Sequence, residues 1–291
     1  MLFVDIVLPG LVLGGMYALI ALGLTLQYGV ARVMNLSYGE SLVAAAFGAL
    51  SLYSGLGLSP LVSLLLAVPV AVGLNWLLYR VLLGRLLRRG KDKGAQEIDG
   101  ILVTFGVLFV IQGVMLVAFG GQYYSYSYLS VPVVVLGSTL AVNRLVALLF
   151  AAVVGMAVYL ALTRTRIGTA VRAIAVDANA ARLVGIDVAA LSGWAFAFGG
   201  GLVAVGGVLV SMFLTFNASM GVIFTMKALV VVIMGGVGNV MGALVAGLLL
   251  GVVETAVARL VDPGLTLAAT YALFLGVLLV KPTGLFGRAS S

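Results

Sequence analysis

The sequence predicts an all-α polytopic membrane protein with eight or nine transmembrane helices, discontinuous or re-entrant segments and a weak internal repeat. Three observations carry that expectation. Of the 291 residues, 63% are hydrophobic and 9% charged, against about half and about a quarter in a soluble domain. The apolar residues fall in runs of about 17 to 25, long enough to cross the hydrocarbon core as helices, where a β-barrel would show short alternating segments. Basic residues gather in the gaps between runs, as they do in cytoplasmic loops. The whole chain, 1–291, reads as a single transmembrane domain.

Taken in order, the candidate spans lie near 3–30, 41–58, 60–84, 100–120, 143–163, 191–212, 219–237, 239–261 and 264–281. The opening "MLFVDIVLPG" lacks the basic start of a cleavable signal peptide, so the first span is expected to stay, whether straight, bent or broken. Two gaps are strongly basic: "RLLRRGKDKG", with Arg85, Arg88, Arg89, Lys91 and Lys93, and the segment 164–190, with Arg164, Arg166, Arg172 and Arg182. Both are expected in the cytoplasm. The tail "KPTGLFGRASS", with Lys281 and Arg288, is expected on the same side. An even number of crossings must then follow residue 190, which splits 219–261 at "GGVGNVMG". The loop from Gly121 to Asn143 falls outside, and its Tyr123, Tyr124, Tyr126 and Tyr128 suit either an interfacial aromatic belt or contact with an extracytoplasmic partner.

Two polar interruptions stand out. "RVMNLSYGE" places Asn35, Ser37, Tyr38 and Glu40 between two apolar runs, and "GGVGNVMG" places Gly235, Gly236, Gly238 and Asn239 between two others. Paired breaks in two halves point to a substrate pathway, because unwound backbone is tolerated at membrane depth only where it lines a cavity or packs in protein. At the first break, Asn35 and Ser37 are expected to satisfy open backbone groups, with Glu40 at the positive end of the next helix.

Several chemistries are excluded or disfavoured. With no cysteine and no histidine, thiolate catalysis, disulfides and histidine-based metal sites or proton relays are impossible. There is no G-x-x-x-x-G-K-[S/T] loop to hold nucleotide phosphates. The glycine run "FGGGLVAVGG", Phe198 to Gly207, reads as close helix packing. The net charge of +7 is loop charge of a membrane protein and implies no nucleic acid. No catalytic residues, metal ligands or cofactor are expected in the chain. Few ionisable residues lie within spans; Lys227 suits snorkelling or pairing with Glu254, and Glu254 suits Lys227 or Arg259. The basic gap ends in "AIAVDANAARLVGIDVAAL", whose spacing predicts a short amphipathic helix outside the membrane, broken at Gly185. Its shortness, alanine content and acidic residues fit a groove of another protein better than a lipid surface.

Four stretches then carry a resemblance: "GGMYALIALGLTLQYGVARVMNLSYGE", "RIGTAVRAIAVDANAARLVGID", "MKALVVVIMGGVGNVMGALVAGLLLGVVE" and "VKPTGLFGR". In order and spacing they resemble the smaller type of bacterial branched-chain amino acid ABC transporter permease, from about Gly10 to Arg288; permeases for urea and short amides are close relatives. The resemblance implies a permease subunit of a binding-protein-dependent importer in the bacterial inner membrane. Its implied partners are a second related permease, two cytoplasmic ATPase subunits that hold ATP and magnesium, and an extracytoplasmic binding protein. It further implies that the loop with Asp177, Asn179, Ala181, Arg182, Gly185 and Asp187 couples to an ATPase, and that Asn35, Ser37, Tyr38, Glu40 and the glycines of the second break lie near the passage. The family usually carries histidine where this chain has Tyr38.

Overall fold

The computed structural model describes residues 2–87, 93–135 and 137–287; Arg88, Arg89, Lys91 and Arg288 lie outside the described residues. Each of the nine expected apolar segments is a helix. The first, α1 (Leu2–Ala31), is a single helix that contains Pro9. It is followed by α2 (Tyr38–Leu56), α3 (Pro60–Leu78), a π-helical turn (Tyr79–Leu83), the short α4 (Gly84–Leu87) and α5 (Lys93–Phe119). Then come α6 (Val142–Arg164), α7 (Arg166–Val176), α8 (Ala178–Leu183), α9 (Val188–Ser211), α10 (Gly221–Gly235), α11 (Val240–Leu260) and α12 (Thr266–Val280). Among the described residues, seven helices are long and apolar enough to cross a membrane. The two remaining long apolar helices, α2 and α10, are those that flank the polar breaks.

The centre of the bundle is set by small residues. Along α1 and α11, Gly10 and Gly14 face Gly247 and Gly251, and the helices run antiparallel. A methyl group on Gly14 would lie 2.7 Å from the Leu248 α-carbon, and one on Gly251 would overlap the backbone of Gly14. Such spacing of small residues four apart lets backbones touch, and that dispersion contact replaces the hydrophobic force that lipid does not supply. The glycine run of α9 works the same way. A side chain on Gly199 would strike Gln27 of α1, on Gly200 it would strike Asn75 of α3, and on Gly207 it would strike Leu42 of α2. So α9 is the buried hub, with 83% of its apolar window inside the protein, whereas 6% of the corresponding window of α12 is buried. The apolar faces of α3, α5, α6 and α12 are left for lipid.

The loop from Gly121 to Asn143 departs from expectation. It contains a small antiparallel hairpin, β1 (Pro132–Val135) paired with β2 (Ser138–Ala141), in register from Pro132 opposite Ala141 to Val135 opposite Ser138. Three of its four tyrosines are not a lipid-facing belt. Tyr124 exchanges two backbone hydrogen bonds with Phe216, at 2.8 and 3.0 Å, and its ring meets Phe47 edge-on. Tyr126 stacks on Tyr53 and shares a hydrogen bond with Ser211, while Tyr128 meets Tyr53 edge-on. Burial raises the Tyr126 phenol above its ordinary pKa, and the Ser211 hydrogen bond offsets only part of that. Only Tyr123 of the four is widely exposed. The rings cap α2 because their flat apolar faces find aromatic partners there, with the Tyr124 and Tyr126 hydroxyls still satisfied.

Candidate functional site

The first break folds back into the bundle. Arg32 leaves α1 in the left-handed conformation, φ 54°, and its guanidinium donates to the Ala175 carbonyl of α7. The chain then returns alongside α1. By Tyr38 it has reached the level of Ile20 and Gly23: the Tyr38 hydroxyl donates to the Ile20 carbonyl at 2.6 Å. At about 1.5 Å per residue this lies more than 10 Å inside the end of α1, so α2 begins within the bundle. Polar side chains satisfy the unwound backbone. Asn35 Oδ1 accepts from the Ser37 amide at 3.1 Å and from its hydroxyl at 2.7 Å. Asn35 Nδ2 donates to Gln27 Oε1, and Gln27 donates in turn to the Phe196 carbonyl of α9. Thr104 of α5 accepts from the Leu36 amide and donates to the Met34 carbonyl.

The start of α10 meets the start of α2. The Gly39 amide donates to Thr225 Oγ1 at 2.8 Å, and neither Gly39 nor Gly221 has room for a side chain. Between them lies Glu40, fully buried, with both carboxylate oxygens lacking a hydrogen-bond partner among the described residues. Both oxygens rest against Gly221. Open N–H groups and the positive end of the dipole occur at every helix start, so one carboxylate faces two positive helix ends. The two helix ends would offset part of the cost of burying this group without a counter-ion. The carboxyl group lies at a joint where two helices begin inside the bundle.

The second break lies elsewhere. Gly235, Gly236, Gly238 and Asn239 form the turn at the other end of α10, about 20 Å from its start by helix length. Gly236 and Gly238 have φ of 101° and 78°, conformations that glycine adopts without strain. Asn239 caps α11 through the Gly242 amide, and its side-chain amide donates to the Phe286 carbonyl. The Leu285 and Phe286 amides donate to Met234 and Gly235, so the tail clasps this turn. The structure therefore joins Asn35, Ser37, Tyr38 and Glu40 to Gly221 and Thr225, and not to the second break. Neither Gly221 nor Thr225 stands out in the sequence, since both lie inside an ordinary apolar run. Tyr38 is a packing residue: its ring is buried and its hydroxyl is bonded to α1.

A second polar cluster ties four helices. Lys227 of α10 pairs with Glu254 of α11 at 2.9 Å and donates to the Tyr17 hydroxyl of α1 at 2.6 Å. Tyr17 and Thr270 of α12 both donate to Glu254. Every heteroatom is partnered, as a buried pair requires, and Lys227 rather than Arg259 is the partner of Glu254.

The basic loop forms two short helices where one was expected. Thr165 caps α7 and Asp177 caps α8. Asp177 ends one helix and starts the next because its extended backbone, φ −147°, cannot continue either. Val171 and Ile174 of α7, with Ala181 of α8, pack on Val30 of α1 and on Val188 and Ala195 of α9. Gly185 turns the chain at φ 83°, and Asp187 caps α9. Arg182 and Asn179 are exposed. So are the apolar side chains of Leu183, at 88%, and Val184, at 75%. The tip is thus apolar, bare and set between capped helices.

A multi-pass helical bundle with a helix joint inside it and a projecting apolar loop is a membrane transport permease. The chain belongs to the family described as branched-chain amino acid transport system, permease component, which it matches over residues 6–281. It is 29% identical to the high-affinity branched-chain amino acid transport system permease protein LivH of Salmonella typhimurium, across 98% of this chain and 96% of that one. It is 28% identical to the corresponding protein BraD of Pseudomonas aeruginosa, across 96% and 94%. A probable permease of the same kind from Methanocaldococcus jannaschii is 26% identical across 84% and 78%. The fold is similar to that of PsaBC from Streptococcus pneumoniae, solved in complex with Fab, with a TM-score of 0.50 and 10% identity over 97% of this chain and 92% of that one.

Proposed function

We propose that this chain is the permease subunit of a binding-protein-dependent ABC importer that moves a branched-chain or related small amino acid across the bacterial inner membrane. In this scheme a second permease completes the passage, two ATPase subunits bind ATP on the cytoplasmic side, and the C-terminus lies on that side too. An extracytoplasmic binding protein supplies affinity, so the chain itself needs no tight substrate site. The observation that carries the proposal is the capped, bare tip at Leu183 and Val184, held on α7, α8 and Gly185 and joined to the bundle through Arg32 and Ala175. An ATPase groove closing on the tip would push on α7 and, through Arg32, on the end of α1 and the joint at Glu40. Asn35, Ser37, Glu40, Gly221 and Thr225 would then line or gate the passage, and ATP hydrolysis would alternate its access.

The test is co-expression with the ATPase and binding-protein genes that neighbour this one. The purified complex is expected to hydrolyse ATP faster when leucine, isoleucine or valine is added with the binding protein. Stimulation by urea or short amides alone would replace the amino acid with those substrates. Absence of any ATPase partner would remove the importer reading altogether. Within the complex, Asn35→Ala and Glu40→Gln are expected to lower transport without lowering assembly, and unchanged transport would take these residues out of the passage.

A further inference from the structure

The loop-bearing end of the bundle contains a groove of about 1710 Å³, lined in part by Asp177, Asn179, Arg182 and Asp187 of the loop but not by its bare tip. It lies between α3, its π-helical turn, the end of α1, and the α7–α8–α9 corner. We propose that this groove holds the headgroup of an anionic phospholipid.

The lining fits a phosphate held at the level of the membrane surface. Arg32, Arg80, Arg85 and Arg182 all face the groove, and none of the four has an ion-pair partner among the described residues. Three carboxylates share the lining and each accepts hydrogen bonds from neutral donors: Glu97 from the Tyr28 hydroxyl, and Asp177 and Asp187 from the helix amides that they cap. Four guanidinium groups and three carboxylates therefore line one space, leaving one positive charge in excess, and guanidinium groups match phosphate oxygens in pairs. Both tryptophans of the chain, Trp76 and Trp194, line the same groove. Their rings are 6.4 Å apart, and Arg80 lies over Trp76 at 4.9 Å. Tryptophan beside arginine is the pairing found where lipid headgroups begin.

Depth gives an independent argument. Counting about 1.5 Å per residue from Pro60, Arg80 lies about 30 Å along its helix, which is the thickness of the hydrocarbon core. Leu77 and Val81 beside it are exposed and line the groove, so acyl chains can continue from a headgroup along α3. The helix changes to a π turn at Tyr79–Leu83, a departure from regular geometry that is common at functional sites. An ATPase is the less fitting occupant, because Leu183 and Val184, the bare apolar tip, are not part of the lining.

Native mass spectrometry of the delipidated full-length chain, with any subunits that co-purify, tests this. Dioleoyl phosphatidylglycerol is expected to bind once per chain at least tenfold more tightly than dioleoyl phosphatidylcholine, and millimolar inorganic phosphate is expected not to displace it. Arg80→Gln with Arg85→Gln is expected to weaken that binding at least tenfold. Arg164→Gln, outside the groove, is expected to leave it unchanged. Thermal melting in detergent checks that the variants fold, and Arg182→Gln on the exposed α8 serves if the double variant does not. Equal binding of the two lipids, displacement by free phosphate, or unchanged binding in the groove variants would each overturn the proposal.

Discussion

Glu40 and Gly221 contend for one space: a methyl group on Gly221 would overlap the carboxylate of Glu40. The two residues belong to the first turns of different helices. Glycine at one and glutamate at the other are thus a matched pair, in which the missing side chain makes room for the carboxyl group.

Gly221→Ala is expected to destabilise the protein by about 1–3 kcal/mol, the usual range for overpacking a tight interior. Glu40→Ala in the same chain should remove most of that cost. Thermal melts of the two single variants and the double variant in detergent measure the coupling. Additive effects would mean that the residues do not share the space.

Lys227→Met and Glu254→Gln each strand part of a buried pair, and each is expected to cost about 3–5 kcal/mol. The combined Lys227→Met, Glu254→Leu variant should recover much of this, although Tyr17 and Thr270 then lose their acceptor. Membrane yield and melting temperature report it. A double variant worse than either single one would show that the cluster does more than join helices.

Gly251→Val is expected to cost about 3 kcal/mol or more, because the atoms opposite are the backbone of Gly14 and cannot rotate away. Gly113→Ala, mid-helix in α5 with nothing near the added carbon, should instead be stabilising by about 0.5–1 kcal/mol. Melting of the two variants side by side separates packing from helix propensity.

Leu183→Asp with Val184→Asp is expected to change stability by less than about 0.5 kcal/mol, since both side chains are bare. Uptake by the assembled transporter should nevertheless fall at least tenfold. Folded protein with normal uptake would show that the tip does not dock.

The spans were legible because apolar length and basic gaps reflect the bilayer itself, which acts on every segment alike. The first break was legible because Asn35, Ser37 and Glu40 are too polar for their surroundings. Its partner was not. Gly221 and Thr225 are unremarkable in an apolar run, and only the return of the chain alongside α1 brings them to Glu40. "GGVGNVMG" looked like the counterpart because it too joins glycine and asparagine between apolar runs. An asparagine that caps a surface turn and one that braces an interior break leave the same mark in a sequence. The helical character of the loop 164–190 was legible, but its division at Asp177 was not, since one aspartate can end a helix and begin another without breaking the apolar spacing.

The clasp between the tail and the α10–α11 turn bears on how the molecule is made. The last carbonyls of α10, on Met234 and Gly235, receive their hydrogen bonds from Leu285 and Phe286, which leave the ribosome after α11 and α12. Until then that end of α10 has no such bonds, so the helix that meets Glu40 is secured at its far end by residues synthesised much later. The two hydrogen bonds that close this end of α10 therefore form only after the last span has been made.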